Sequence, residues 1–433
     1  MLPTPVILQY DTAVFRLPRF SVTILAFMAV STWHYCLGQQ AHTPALTTLK
    51  TFRLRGKINS ADISPDETLV ALERTSEDKT ENIKVTRFSE IVEVWDFRAD
   101  KLVGRVTLRK DDVQQSTRGR SIDPVTGARF VRFTGDGRFL AAYIEHSIRM
   151  LSADDLSEIE SIPAEGPPST SRTYHVRKIG PQTITDRPAV QAFEMSPTGR
   201  LLAMLWVRDL LYGRIDIYDI SSGQQVATWG TPQGWVSSDR DRGLTWSSAS
   251  QTVFLAVPNS IPCLAPGGSP DVFGFDALSG RTKTAVATGL LVGDIAVTPT
   301  EHLLAVDSNC VGVLKNHHPK LKVFDLRTNK HAGDVRAEKS GVRYRVSVSR
   351  NGQRAAAWTS DVKCKFDWGD MDCFDWTVSP MFTVWHLPEF SVVARSQTVS
   401  AGGVLGTRGA LRISSTGHYL LMYGTMGFVF ELP

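Results

Sequence analysis

A short apolar stretch, a turn opened by Ser or Thr, and a second apolar stretch recur seven times along this chain. The copies are ADISPDETLVAL from Ala61, VRFTGDGRFLAAY from Val131, FEMSPTGRLLAML from Phe193, LTWSSASQTVFLAV from Leu244, IAVTPTEHLLAV from Ile295, VSVSRNGQRAAAW from Val346 and LRISSTGHYLLMY from Leu411. Their turn hydroxyls, Ser64, Thr134, Ser196, Ser247, Thr298, Ser349 and Ser414, lie 70, 62, 51, 51, 51 and 65 residues apart. A repeat of this length is a supersecondary unit that cannot bury its apolar surface alone and must stack on its neighbours. Each copy reads as a hairpin. Pro, Asp, Gly and the hydroxyl supply turn chemistry, and the flanking aliphatic and aromatic residues suit a pleated, buried surface.

A second motif follows most copies. It is an apolar strand ending in an aromatic and a polar residue: VEVWD to Asp96, IDIYD to Asp219, VFGFD to Asp276, LKVFD to Asp325, FTVWH to His386 and FVFE to Glu431. The second unit is the weakest match, because SIRMLSADD lacks the aromatic–acid pair. All but the last continue through a short turn into a further strand, which makes four strands per unit. Asp96, Asp219, Asp276 and Asp325 are expected to cap those turns. Four-stranded units repeated around an axis are propeller blades. The last unit, ending at ELP, has three strands, and TLKTFRLR (Thr48 to Arg55) supplies a fourth from the other end of the chain. The expected fold is therefore all-β: a seven-bladed β-propeller of four-stranded antiparallel blades over 48–433, closed by an N-terminal strand completing the last blade. Joining the ends in one blade leaves no open seam.

The ISPDETLVAL and MSPTGRLLAML turns, with the VWD and IYD strand ends, resemble WD40 and WD40-like propeller repeats. The resemblance implies the fold and leaves function open. The Gly-His dipeptide usual before each WD40 blade is absent, so the family's His-to-Asp hydrogen-bond network is not implied here. Units of 51 to 70 residues also exceed the usual repeat. These departures favour a divergent, bacterial-type exported member.

The first 38 residues have another character. Arg16 and Arg19 precede the uncharged run Phe20 to Cys36, and Gly38 follows. A basic region, an apolar core and small residues fit a signal peptide over 1–38. A short linker, 39–47, would follow. The expected location is periplasmic or extracellular. The alternative is membrane anchoring by residues 20–36, which is short for a span. The 48 basic and 44 acidic residues are well mixed, with a formal charge of +4, so no basic face for nucleic acid is indicated. A monomer is expected.

Loss of the leader leaves Cys263, Cys310, Cys364 and Cys373. No CxxC pair occurs, which argues against a zinc ribbon. Cys263–Cys310 across neighbouring blades and Cys364–Cys373 within one loop are possible disulfides; free thiols or another pairing remain open. Strands a to d run from the axis outward. The a–b and c–d turns are short throughout. The long segments are all of the other kind: b–c insertions at 74–90, 258–271, 308–320 and 360–380, and d–a connections at 110–127 and 163–188. Long loops on a rigid scaffold are where binding groups usually sit. In CKFDWGDMDCFDW, Asp367, Asp370 and Asp372 form an acidic rim. Trp368 is a candidate anchor, and Trp376 is an anchor or a strand start. His317 and His318 complete the candidate set. The acidic spacing is not that of a calcium loop, and no HExxH, GxSxG, Walker A or GxGxxG motif occurs. No metal, cofactor or catalytic residue is expected. The innermost strands read as aliphatic core. The expected function is a non-enzymatic scaffold binding a protein or peptide on its loop-rich face. The alternative is a lactonase-like hydrolase with its site in the central funnel.

Overall fold

The computed structural model of the chain describes residues 46–54, 56–79, 85–114, 130–144, 146–168, 170–176, 180–186, 189–208, 212–232, 243–257, 270–290, 292–307, 320–336, 345–361, 379–387, 389–395, 410–424 and 426–433. All described regular structure is β-strand. The first strand, β1 (Thr47–Phe52), precedes blade one, which is β2 (Lys57–Ile63), β3 (Leu69–Lys79), β4 (Val85–Asp96) and β5 (Lys101–Gln114). Blade two is β6 (Phe130–Phe133), β7 (Phe139–Ile144), β8 (Ser147–Ser152) and β9 (Glu158–Pro163). A separate hairpin, β10 (Thr170–Val176) and β11 (Gly180–Asp186), precedes blade three: β12 (Ala189–Met195), β13 (Leu201–Arg208), β14 (Tyr212–Asp219) and β15 (Gln224–Gly230). Blade four is β16 (Leu244–Trp246), β17 (Thr252–Ala256), β18 (Val272–Asp276) and β19 (Thr282–Val286). Blade five is β20 (Val292–Val297), β21 (His302–Asp307), β22 (Lys320–Asp325) and β23 (Lys330–Arg336). Blade six is β24 (Arg345–Val348), β25 (Arg354–Asp361), β26 (Ser379–His386) and β27 (Ser391–Arg395). Blade seven is β28 (Ala410–Ile413), β29 (Tyr419–Tyr423) and β30 (Gly427–Glu431), completed by β1.

Each blade is an antiparallel four-stranded sheet in meander order, and the seven form a β-propeller. The repeated hydroxyl has one job in every copy. Ser64 Oγ accepts the Leu69 N–H at 2.9 Å, and Thr134, Ser196, Ser247, Thr298, Ser349 and Ser414 accept the equivalent N–H at 2.9 to 3.2 Å. A side-chain acceptor placed this way holds the a–b turn without calling on water. The c–d turns are capped as expected. Asp96 Oδ1 accepts from the Ala99 N–H at 2.7 Å, and Asp219, Asp276 and Asp325 make the matching bonds. One or two residues before strand d the chain then takes a left-handed conformation, at Asp100, Leu156, Gly223, Gly280, Asn329 and Phe390, with φ between 54° and 66°.

The apolar core is divided into seven clusters, one between each pair of neighbouring blades. Between blades two and three, Phe130 stacks on Phe193 at 5.7 Å and Tyr143 meets Trp206 edge-on. The ring closes through β1, whose register with β30 runs from Thr47 opposite Glu431 to Phe52 opposite Gly427. Phe52 is fully buried against Trp95 of blade one, and the Ile58 N–H donates to Gly424 O at 2.7 Å.

Two connections differ from the sequence reading. The segment 74–90 is not an irregular insertion. The β3–β4 ladder continues through it to Lys79 opposite Thr86, with β5 alongside to Gln114. The connection 163–188 carries the β10–β11 hairpin. The first lengthens the b–c side of blade one, and the second belongs to a d–a connection. In blades two and seven strand c follows strand b closely, with Ile144 opposite Ser147 and Tyr423 opposite Gly427.

Phe52→Ala removes the plug of the closing strand. The expected loss is about 3–5 kcal/mol, read as a lower denaturant midpoint.

Candidate functional site

In all seven inner strands, the residue two before the turn hydroxyl lines one axial cavity: Asp62, Arg132, Glu194, Thr245, Ala296, Ser347 and Arg412. Alternation in a strand puts every second residue on one side, so a conserved offset from the turn aims one side chain per blade at the axis. The cavity holds about 270 Å³ and is also lined by Pro65, Pro197 and Pro299 of the a–b turns. It therefore opens on the short-turn side.

Blades seven, one, two and three are consecutive around the ring and carry Arg412, Asp62, Arg132 and Glu194 there, with alternating charge. Glu194 gathers both cations. Its Oε1 accepts Arg132 Nη2 at 3.2 Å and Arg412 Nη2, and its Oε2 accepts Arg412 Nη1 at 3.2 Å. The Arg412–Glu194 pair joins blade seven to blade three, so it spans the bore instead of linking neighbours. Arg132 is buried, and its Nη1 donates to Ser60 Oγ and Val131 O, both at 2.8 Å. Blades four to six present Thr245, Ala296 and Ser347 at the same level. Next to them, two residues earlier on β20 and β24, lie the buried Asp294 and Arg345.

The same side chains stitch neighbouring blades. Ser60 Oγ accepts the Val131 N–H at 3.2 Å, and Asp62 Oδ2 accepts the Phe133 N–H at 2.9 Å. Asp294 accepts from Gly243 N at 3.1 Å and Ile295 N at 3.0 Å through Oδ1, and from Val346 N at 3.1 Å through Oδ2. That one carboxylate ties blades four, five and six. Ser347 Oγ takes the Ile413 N–H at 3.1 Å. Burial inside the channel pushes the Asp62 carboxyl above its ordinary 3.8. Arg412, Arg132 and the Phe133 N–H oppose the rise, and the Glu194 charge adds to it.

The inner strands are thus not the plain aliphatic core expected from sequence. Four of their seven bore-facing positions carry charge, because they face the axial cavity and not a neighbouring sheet. The signal is the residue two before the hydroxyl in ADIS, VRFT, FEMS and LRIS. No histidine or cysteine lines the cavity among the described residues. Nor does any group of three His, Cys, Asp or Glu suited to a metal occur among them. Asp367, Trp368, Asp370, Asp372, Trp376, His317 and His318 lie outside the described residues, as do Cys263, Cys310, Cys364 and Cys373.

No family model and no curated protein matches the chain. Among solved structures it is similar to Raptor of Chaetomium thermophilum, at 11% identity and a TM-score of 0.53, over 98% of this chain and 33% of that one. It is also similar to hydrazine synthase of Kuenenia stuttgartiensis, at 13% identity and a TM-score of 0.48, over 72% of this chain and 76% of that one. This chain spans about a third of the Raptor chain. At such identity the Raptor likeness carries the fold and nothing about activity.

Two predictions follow from the channel. Glu194→Ala leaves Arg132 and Arg412 facing each other, with an expected loss on the order of 3 kcal/mol. Arg412→Ala should cost less, since Glu194 keeps Arg132; equal midpoints in urea would contradict the bridge. For Asp62, the folded state holds the proton more tightly than the unfolded chain does. The group's contribution is full at low pH and is lost as pH rises from 3.8 through the raised value. Asp62→Asn removes that slope, so its urea midpoint should gain on wild type as pH rises above 3.8.

Proposed function

We propose that the protein is an exported, non-catalytic binding scaffold of the divergent WD40-like kind, which engages a protein or peptide partner on its b–c and d–a side. One observation carries the reading. The carboxylates and guanidiniums that converge on the axis are committed to each other and to neighbouring backbone N–H groups, with the Arg412–Glu194 pair lying across the bore. That arrangement supports a girder. A hydrolase in the funnel needs a carboxylate at liberty to exchange a proton with substrate. Asp62 already accepts from Phe133, and Glu194 is bracketed by two arginines.

The choice of side rests on its elaboration. The β3–β4–β5 sheet extends there, and the β10–β11 hairpin and the long segments of blades four to six belong to the same side by connection type. Trp368 and Trp376, with Asp367, Asp370 and Asp372, are the proposed contact residues, and His317 and His318 lie in the neighbouring loop. The Arg16–Arg19 and Phe20–Cys36 pattern supports export. A fusion of residues 1–47 to alkaline phosphatase, active only outside the cytoplasm, tests that part.

The test of the scaffold is deletion of 365–372. Cross-linking of the full chain in its native envelope fraction should yield discrete adducts, and the deletion should lose them while melting at the wild-type temperature. Unchanged adducts in a folded deletion variant would refute the proposed contact face. Turnover of a lactone that Asp62→Asn abolishes would refute the non-catalytic reading.

A further inference from the structure

The repeat allows each blade interface to be compared with its neighbours. On the a–b and c–d turn side, the outer strand of one blade faces the c–d turn of the next. Gly104 of β5 and Gly333 of β23 occupy the same place, the first residue after the outer-strand bulge, opposite Val94 and Val323. At the first interface the space over Gly104 is taken by Leu156 of blade two, whose Cδ1 lies 3.3 Å from where a Cβ would stand. Leu156 is buried and holds a left-handed conformation, φ 59°, to put its side chain there. Between blades two and three Glu160 fills in against Gly223, and between three and four Trp229 covers Gly280.

Between blades five and six the same place is open. No described residue lies within 4 Å of a Cβ built on Gly333. Its backbone is ordinary strand, so neither conformation nor crowding calls for glycine, and glycine weakens a strand interior. Opposite it stands Phe390, the counterpart of Leu156. It has the same left-handed conformation, φ 54°, which an aromatic residue adopts only with strain. Phe390 stays half-exposed at the edge of the opening. The groove holds about 400 Å³ above Val323, Val335 and Leu387. Its described lining includes the carboxylates of Asp334 and Glu389 and no lysine or arginine. Each carboxylate is held by a histidine, His331 to Asp334 at 2.6 Å and His386 to Glu389 at 2.8 Å. β23 is the outer strand of its sheet, with an edge to which an extended chain can add.

We propose that this groove docks an extended peptide segment of a partner protein, which inserts a leucine-sized aliphatic side chain over Gly333 beside Phe390 and sets an adjacent lysine or arginine against Asp334 and Glu389. The aliphatic group is named by Leu156, which fills the equivalent space from within the chain. The basic neighbour is named by the charge of the rim. The site shares the scaffold reading but lies on the opposite side of the propeller, so the two fail separately: deletion of 365–372 leaves this groove intact.

The test is a random heptapeptide phage library panned on the purified protein and counter-selected on Gly333→Leu. Enriched peptides should place an aliphatic residue next to Lys or Arg. Synthetic versions, followed by fluorescence anisotropy, should bind Gly333→Leu at least 10-fold more weakly and Glu389→Gln several-fold more weakly, with added salt weakening wild-type binding. Gly333→Leu should melt no lower than wild type, because the space it enters is empty. If it does melt lower, Gly333→Ala serves in its place, with a smaller loss of binding. Failure to enrich any peptide over the counter-selected variant overturns the proposal. That is also the result if a segment of this chain already fills the groove. Enrichment of acidic or purely polar peptides overturns it equally.

Discussion

Everything in this propeller depends on the pairing of β1 with β30. A meander of blades has two ends, and without that ladder blade seven would stop at three strands with a bare outer edge. Propellers protect their edges by closure, and here closure is a backbone ladder sealed by Phe52 and the Ile58-to-Gly424 hydrogen bond. Seven clusters of buried residues, one per interface, then share the load around the ring. No cluster can form fully unless its neighbours are in place. Folding of such a ring therefore couples β1 and β30, which stand at the two ends of the described residues.

Closure brings seven inner strands to one axis, and that raises the question of what fills the middle. Backbone N–H groups on the inner edge lack a further strand to pair with, and burying them unpaired is costly. Ser60, Asp62, Asp294 and Ser347 answer this by accepting N–H groups of the next blade. No Gly-His dipeptide precedes a blade in this sequence, so the His-to-Asp network of WD40 repeats is not implied for it. These axial acceptors offer blade-to-blade register by another route.

Legibility in the sequence followed the physics of each feature. The turn hydroxyls and the strand-end aspartates could be read because each acts locally, on backbone within five residues. The closing strand could be read because the strand count demanded it. The axial charges were harder. Asp62, Arg132, Glu194 and Arg412 sit among apolar neighbours and look like isolated polar lapses until all seven copies are aligned on the hydroxyl. Glu194 and Arg412 are 218 residues apart, and only the ring brings them together. The long blade-one sheet looks like an insertion in the sequence because RTSEDK and VTRFSE have no apolar alternation to mark strands. The glycine at 333 carries no local signal of an empty space, because absence of a neighbour is a property of the interface.

The axial charges also explain where space remains. Alternating signs let each charge face two opposite ones, but strict alternation cannot be completed around a ring of odd number. With seven positions, two like charges would have to meet at a seam and repel. The chain confines alternation to blades seven, one, two and three and gives blades four, five and six the small residues Thr245, Ala296 and Ser347. Long charged side chains fill one half of the bore and cross it, while the other half is left as the cavity. The next tier down that open half holds Asp294 and Arg345, and Asp294 is spent on three backbone N–H groups. A bore bridged by charge on one side and tied blade to blade along its wall on the other is suited to rigidity. Recognition then falls to the rims, where the blade interfaces differ from one another.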